Sequence, residues 1–122
     1  GTLIVKPLRH CLHVWELTGA ESLELGPLLQ LVTATINTLL KPDQVYVCLW
    51  SHSGWEPVHL HFVIQPAWND QRREHELGGP FLQADMFKAG VSPARPEVEA
   101  FAAKAREAIK GLASLGAGTA PE

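Results

Sequence analysis

Between Pro57 and Pro66 the chain alternates, with Val58, Leu60, Phe62 and Ile64 in one set and His59, His61, Val63 and Gln65 in the other. A period of two is that of an extended strand, whose successive side chains point to opposite faces. The pattern predicts one face in a core and two imidazoles side by side on the other. Leu3–Val5 reads as a short strand that Pro7 ends by removing a ladder donor. Leu25, Leu28, Leu29, Val32, Ile36, Leu39 and Leu40 recur at three- and four-residue spacing, the mark of an amphipathic helix lying on a sheet. Thr18-Gly19-Ala20-Glu21 is a capping box for its start, and Pro42-Asp43 closes it. Gly26-Pro27 predicts a kink, or a separate turn before the main helix. Val45–Trp50 is almost continuously apolar, which predicts a central strand buried on both faces, paired with the histidine strand as an antiparallel hairpin.

After Pro66 the pattern changes. Asn69–Glu76 is dense in charge and reads as a solvated face. Gly79-Pro80 opens a short helix through Phe81, Leu82, Met86 and Phe87, with Gly90 placed as its left-handed C-terminal residue. A last helix is expected from Pro96 to about Leu115, with Val98, Phe101, Ala102, Ala105, Ile109 and Leu112 on one stripe. The organisation expected is α+β: one domain over residues 1–115, an antiparallel sheet with a packed amphipathic helix and a C-terminal helix, and a flexible tail over 116–122. The abrupt start on a core strand at Gly1-Thr2-Leu3 predicts that further strands lie upstream.

Composition narrows the function classes. The 122 residues are 46% hydrophobic and 19% charged, enough apolar side chain for a single core. A net charge of −3 argues against a broad cationic surface for duplex nucleic acid. No uninterrupted apolar run approaches the ~18 residues of a membrane span, and no export signal is visible, so a cytoplasmic protein is expected. Cys11 and Cys48, far apart in apolar contexts, read as two buried thiols and not as a disulfide or a metal pair. Any ligand must then be chosen by a local site.

That site has a family resemblance. Gly1-Thr2-Leu3-Ile4-Val5-Lys6-Pro7-Leu8-Arg9-His10 resembles the glycine, strand, proline, basic residue and histidine segment of the histidine triad (HIT) superfamily, and Gly54–Pro66 resembles the alternating motif that names it. Leu17-Thr18 at the start of the intervening helix fits as well. The resemblance covers about Gly1 to Pro66 and implies an α+β fold, often paired as a homodimer, with chemistry at the α-phosphate of a nucleotide conjugate. It points to the diadenosine tetraphosphate hydrolase-like branch or a related nucleotide hydrolase or transferase, acting on a dinucleoside polyphosphate or a nucleoside phosphoramidate. By motif position it makes His61 the nucleophile, His59 the first triad histidine and His10 a separate histidine from the upstream loop. Substrate contacts are expected from Gly54, Trp55 and His52 in the loop beside the histidine strand, and from Arg9. The third triad position is Val63, so the triad is incomplete. Glu56 stands where the family has a serine or threonine, and Trp55 where it has a glutamine.

The residues support that chemistry on their own terms. Imidazole is nucleophilic near neutral pH when one ring nitrogen is held as a donor and the other keeps its lone pair. A phosphoramidate then splits one hard displacement into two easier ones, with protonation and charge stabilisation left to neighbouring imidazoles and amides. Two histidines two residues apart on a strand are roughly 6–7 Å apart at Cα, close enough to serve one phosphorus atom. Two rivals stay open. His59, His61 and His10 are also a plausible shell for a divalent metal, as in a zinc hydrolase or metal-binding module. Val63 and Glu56 allow a nucleotide-binding protein with little turnover. His13, His52 and His75 have no motif support beyond the loop position of His52.

Overall fold

In the computed structural model, residues 1–49, 58–76, 78–90 and 92–115 are described. Three strands, β1 (Leu3–Val5), β2 (Gln44–Leu49) and β3 (Phe62–Ala67), form an antiparallel sheet in the order β1-β3-β2. Four α-helices accompany it: α1 (Gly19–Leu40), α2 (Asn69–His75), α3 (Pro80–Lys88) and α4 (Arg95–Ser114). A single 3₁₀ turn, Val14–Glu16, lies between β1 and α1.

Among the described residues β3 is therefore the central strand and β2 an edge, contrary to the expectation from its apolar run. Val47 and Leu49 remain 42% and 45% exposed, because α1 covers only part of the sheet face they share with Ile64. The hairpin pairing of β2 with β3 is as expected, in the register Val47 opposite Ile64 and Cys48 opposite Val63. The ladder begins only at Phe62, so His59 and His61 sit in a lead-in to the strand and not within it. Alternation nevertheless extends through the lead-in: Leu60 and Ile64 are fully buried and Phe62 packs on the core.

One face of the sheet is partly covered by α1. Val5, Val32, Ile36 and Ile64 form the core cluster, with Leu3, Leu25, Leu29, Leu40, Val45 and Phe62 packed around them. Helix α4 lies against α1 and buries Ala105. The capping box forms as predicted: the Glu21 N–H donates to Thr18 Oγ1 at 3.2 Å, and the Thr18 N–H donates to Glu21 Oε2 at 2.7 Å. Pro27 does not break the helix, which runs unbroken from Gly19 to Leu40. The proline and Leu23, whose carbonyl loses its partner to it, both lie on the exposed side of the helix. Lys41 in the left-handed region (φ 51°) ends it ahead of Pro42.

Although no uninterrupted apolar run stands out in the sequence, α1 is long and apolar enough by length and composition to cross a membrane. Here it is the helix on which sheet and α4 pack. The charged segment after Pro66 forms α2, which the sequence pattern did not predict. Helices α3 and α4 fall where expected, and Gly90 adopts φ 65°. The proposed tail, 116–122, lies outside the described residues, as do the side chains of His75, Met86 and Phe87.

The opposite sheet face carries Tyr46, Cys48, Val63 and Gln65 by alternation. Helix α3 is tied to it by Gln83, 5% exposed, whose Nε2 donates to Gln65 Oε1 at 3.2 Å and whose Oε1 accepts from the Cys48 thiol at 3.0 Å. The Gly79 N–H adds a bond to the Tyr46 hydroxyl at 3.2 Å. Both cysteines are free, Cys11 buried and Cys48 half-buried.

Candidate functional site

The loop between β1 and α1 folds back onto the lead-in to β3. The Leu60 N–H donates to the Cys11 carbonyl at 2.8 Å, and His10 Nε2 lies 2.7 Å from the Val58 carbonyl. These two links bring His10 beside His59, with ring centroids 5.5 Å apart at an interplanar angle of 68°. Two of the sequence-predicted site residues, His10 and His59, are thus brought together from segments about fifty positions apart, with His61 two residues further on.

The hydrogen bonds fix tautomers. A carbonyl oxygen only accepts, so a ring nitrogen bonded to one must carry the proton. His61 Nδ1 lies 2.9 Å from the His59 carbonyl, which makes Nδ1 the donor and leaves the lone pair of a neutral ring on Nε2. His10 is arranged in the reverse sense: its Nε2 donates to Val58, and Nδ1 keeps the lone pair. His59 Nε2 is buried and has no protein partner among the described residues. A buried polar atom without a partner is uncommon.

Arg9, expected to meet substrate, is paired with a carboxylate of α1. Its Nε and Nη2 donate to the two carboxylate oxygens of Glu21 at 3.0 and 2.9 Å, and Nη2 also donates to the Glu16 carbonyl. The guanidinium is committed to the loop and to the first turn of α1. The same pairing with Arg9, together with the Thr18 N–H, holds the Glu21 carboxyl down at about 2. Glu16 is lowered as well, because its carboxylate accepts the N–H groups of Leu12 and His13 at 2.7 and 3.1 Å.

Gly54, Trp55 and His52 lie outside the described residues, as does Glu56. His13 stacks on the exposed Trp15, with centroids 4.1 Å apart and planes within 12°. Val63, the third triad position, pairs with Ile4 and Cys48 inside the sheet and brings no polar group. An open cleft of about 400 Å³, lined by Asp43, Gln44, Tyr46, Trp68 and Arg72 among others, lies at the opposite end of β3 from the histidines. Among the described residues no group of three or more His, Cys, Asp or Glu side chains is arranged to hold a metal ion. His10, His59 and His61 are therefore not gathered as the three-histidine metal shell of the rival expectation. The sequence pattern does not show Glu21 and Glu16 as partners of the loop that carries His10. Glu21 was visible only as half of a capping box, and nothing local marks its pairing with a residue twelve positions upstream.

No protein-family model matches the chain, and no curated protein matches it. Among solved structures, the crystal structure of a hypothetical histidine triad nucleotide-binding protein from Sulfolobus tokodaii strain7 superposes with a TM-score of 0.64 at 21% identity, covering 91% of this chain and 70% of that one. At this identity the likeness is one of fold alone: the chain shares the α+β architecture of that protein, a small antiparallel sheet with packed helices.

Proposed function

We propose that this protein binds a nucleotide conjugate and cleaves it at the α-phosphate through a covalent nucleotidyl-His61, acting on a dinucleoside polyphosphate or a nucleoside phosphoramidate. The observation that carries this reading is the bond from His61 Nδ1 to the His59 carbonyl, which leaves Nε2 with its lone pair on a ring held from its own backbone. The fold shared with a protein described as nucleotide-binding supports the choice of ligand.

In the reaction, the Nε2 lone pair attacks phosphorus, a P–N bond forms and the bond to the leaving group breaks. The leaving group departs with the bonding electrons and takes up a proton. Water then attacks the phosphorus, the P–N bond breaks, and Nε2 regains its lone pair as the attacking water loses a proton. In this reading His59 and His10, whose rings lie edge to face at 5.5 Å, serve the phosphate oxygens and the proton taken up by the leaving group.

The test is incubation with a panel of dinucleoside polyphosphates and nucleoside phosphoramidates, followed by quenching and intact-mass measurement. Wild-type protein is expected to carry one nucleotidyl group, mapped to His61, and His61→Ala is expected to bind nucleotide without forming products. Products from His61→Ala at the wild-type rate would remove the assignment. Tight binding with neither adduct nor product in the wild type would leave a binding protein, the reading that the apolar Val63 favours.

A further inference from the structure

We infer that Glu21 and Arg9 are positioning residues for the histidine site, a clamp between the first turn of α1 and the loop that carries His10. The inference rests on the proposed role of the histidines and deepens it. Glu21 is anchored on its own helix by the Thr18 N–H at 2.7 Å and hydroxyl at 3.0 Å, so it presents a fixed carboxylate. Arg9 meets that carboxylate with two parallel bonds and spends a further contact on the Glu16 carbonyl. Glu16 in turn gathers the N–H groups of Leu12 and His13. The loop is thus tied on both sides of His10 and Cys11.

Those two residues are the ones that touch the lead-in. His10 reaches the Val58 carbonyl, and the Cys11 carbonyl holds the Leu60 N–H, the residue between His59 and His61. Displacement of Arg9 is transmitted through one peptide to His10 and through two to the backbone that aims His61. The strand pairing of β1 with β3 does not depend on the clamp, since Leu3–Val5 are held by their own ladder. A lysine at position 9 cannot replace the arginine, because an ammonium lacks the planar fork that makes two parallel bonds to one carboxylate.

The test uses the full chain with Arg9→Lys, Glu21→Gln and the double variant, and Glu99→Gln as a control that removes an exposed ion pair on α4. Glutamine at 21 keeps an oxygen for the cap of α1 while losing the charge. Amide exchange and ring ¹⁵N signals are read first, without substrate. In both single variants, exchange of the Leu60 amide should rise about tenfold while the amides of β3 stay protected, and the His10 ring signals should shift. The double variant should match the singles, since the two residues act as a unit. With a nucleotide substrate, kcat should fall on the order of tenfold to a hundredfold with little change in KM. Wild-type exchange at Leu60 and unshifted His10 signals in both singles would overturn the clamp. An equal rise across β3 would also overturn it, by making the pair an element of global stability. Because the exchange and ring signals need no turnover, absence of nucleotide cleavage by the wild type would sink the proposed reaction and leave this inference judged on its own data.

Discussion

The backbone N–H of Leu60 donates to the carbonyl of Cys11 at 2.8 Å, and Leu60 itself has no solvent exposure. One residue therefore joins the loop to the lead-in and roots the lead-in in the core, while His59 and His61 flank it on the other side. Leu60→Ala should lower unfolding free energy by about 2–5 kcal/mol, the range for a buried leucine, as measured by urea denaturation. A loss under 1 kcal/mol would mean that the lead-in is not anchored by this side chain.

Gln83 is the buried polar link between α3 and the sheet. Gln83→Ala removes the acceptor of the Cys48 thiol and a donor to Gln65, at a cost of about 1–3 kcal/mol. Cys48 should react faster with a thiol reagent in this variant, and unchanged reactivity would count against the placement of α3 on that face.

Pro27 sits within an unbroken helix without an N–H to offer the carbonyl of residue 23. Pro27→Ala restores that donor. Interior proline is about 3 kcal/mol less favourable than alanine, but its stiffening of the unfolded chain returns roughly 0.4–1 kcal/mol, so a net gain of about 2 kcal/mol is expected in urea titration. A destabilised variant would show that the proline is shaping α1.

Glu21 gives the fold an acid-sensitive contact. Its folded carboxyl titrates at about 2 instead of 4.5, so the ionised form is favoured by folding. That contribution is fully present above 4.5 and is lost as pH falls from there toward 2. Thermal melts of the wild type across this window should decline more steeply than those of Glu21→Gln. Parallel curves would show that the pairing with Arg9 is not formed in solution.

Much of this was legible in the chain because it is local. The box at Thr18 and Glu21 spans four residues and encodes its own two hydrogen bonds, and the alternation around His59 and His61 needs only a period of two. The errors arose where a partner decides. The run from Val45 reads as buried on both sides, yet strand order makes β2 an edge. The charges after Trp68 hid α2, whose seven residues are all polar or charged and so show no apolar period. Arg9 reads as a phosphate ligand beside His10, and only the fold brings Glu21 across to claim it. The convergence of His10 on His59 followed from resemblance, since no spacing rule joins positions that far apart.

The most direct test of the account is the tautomer of the neutral His61 ring, read from ring ¹⁵N chemical shifts and two-bond couplings in ¹⁵N-histidine-labelled protein. Protonation at Nδ1 with an unprotonated Nε2 is the result the 2.9 Å contact to the His59 carbonyl requires. A ring protonated at Nε2 would leave no lone pair directed at phosphorus, and the nucleophile would have to be sought elsewhere.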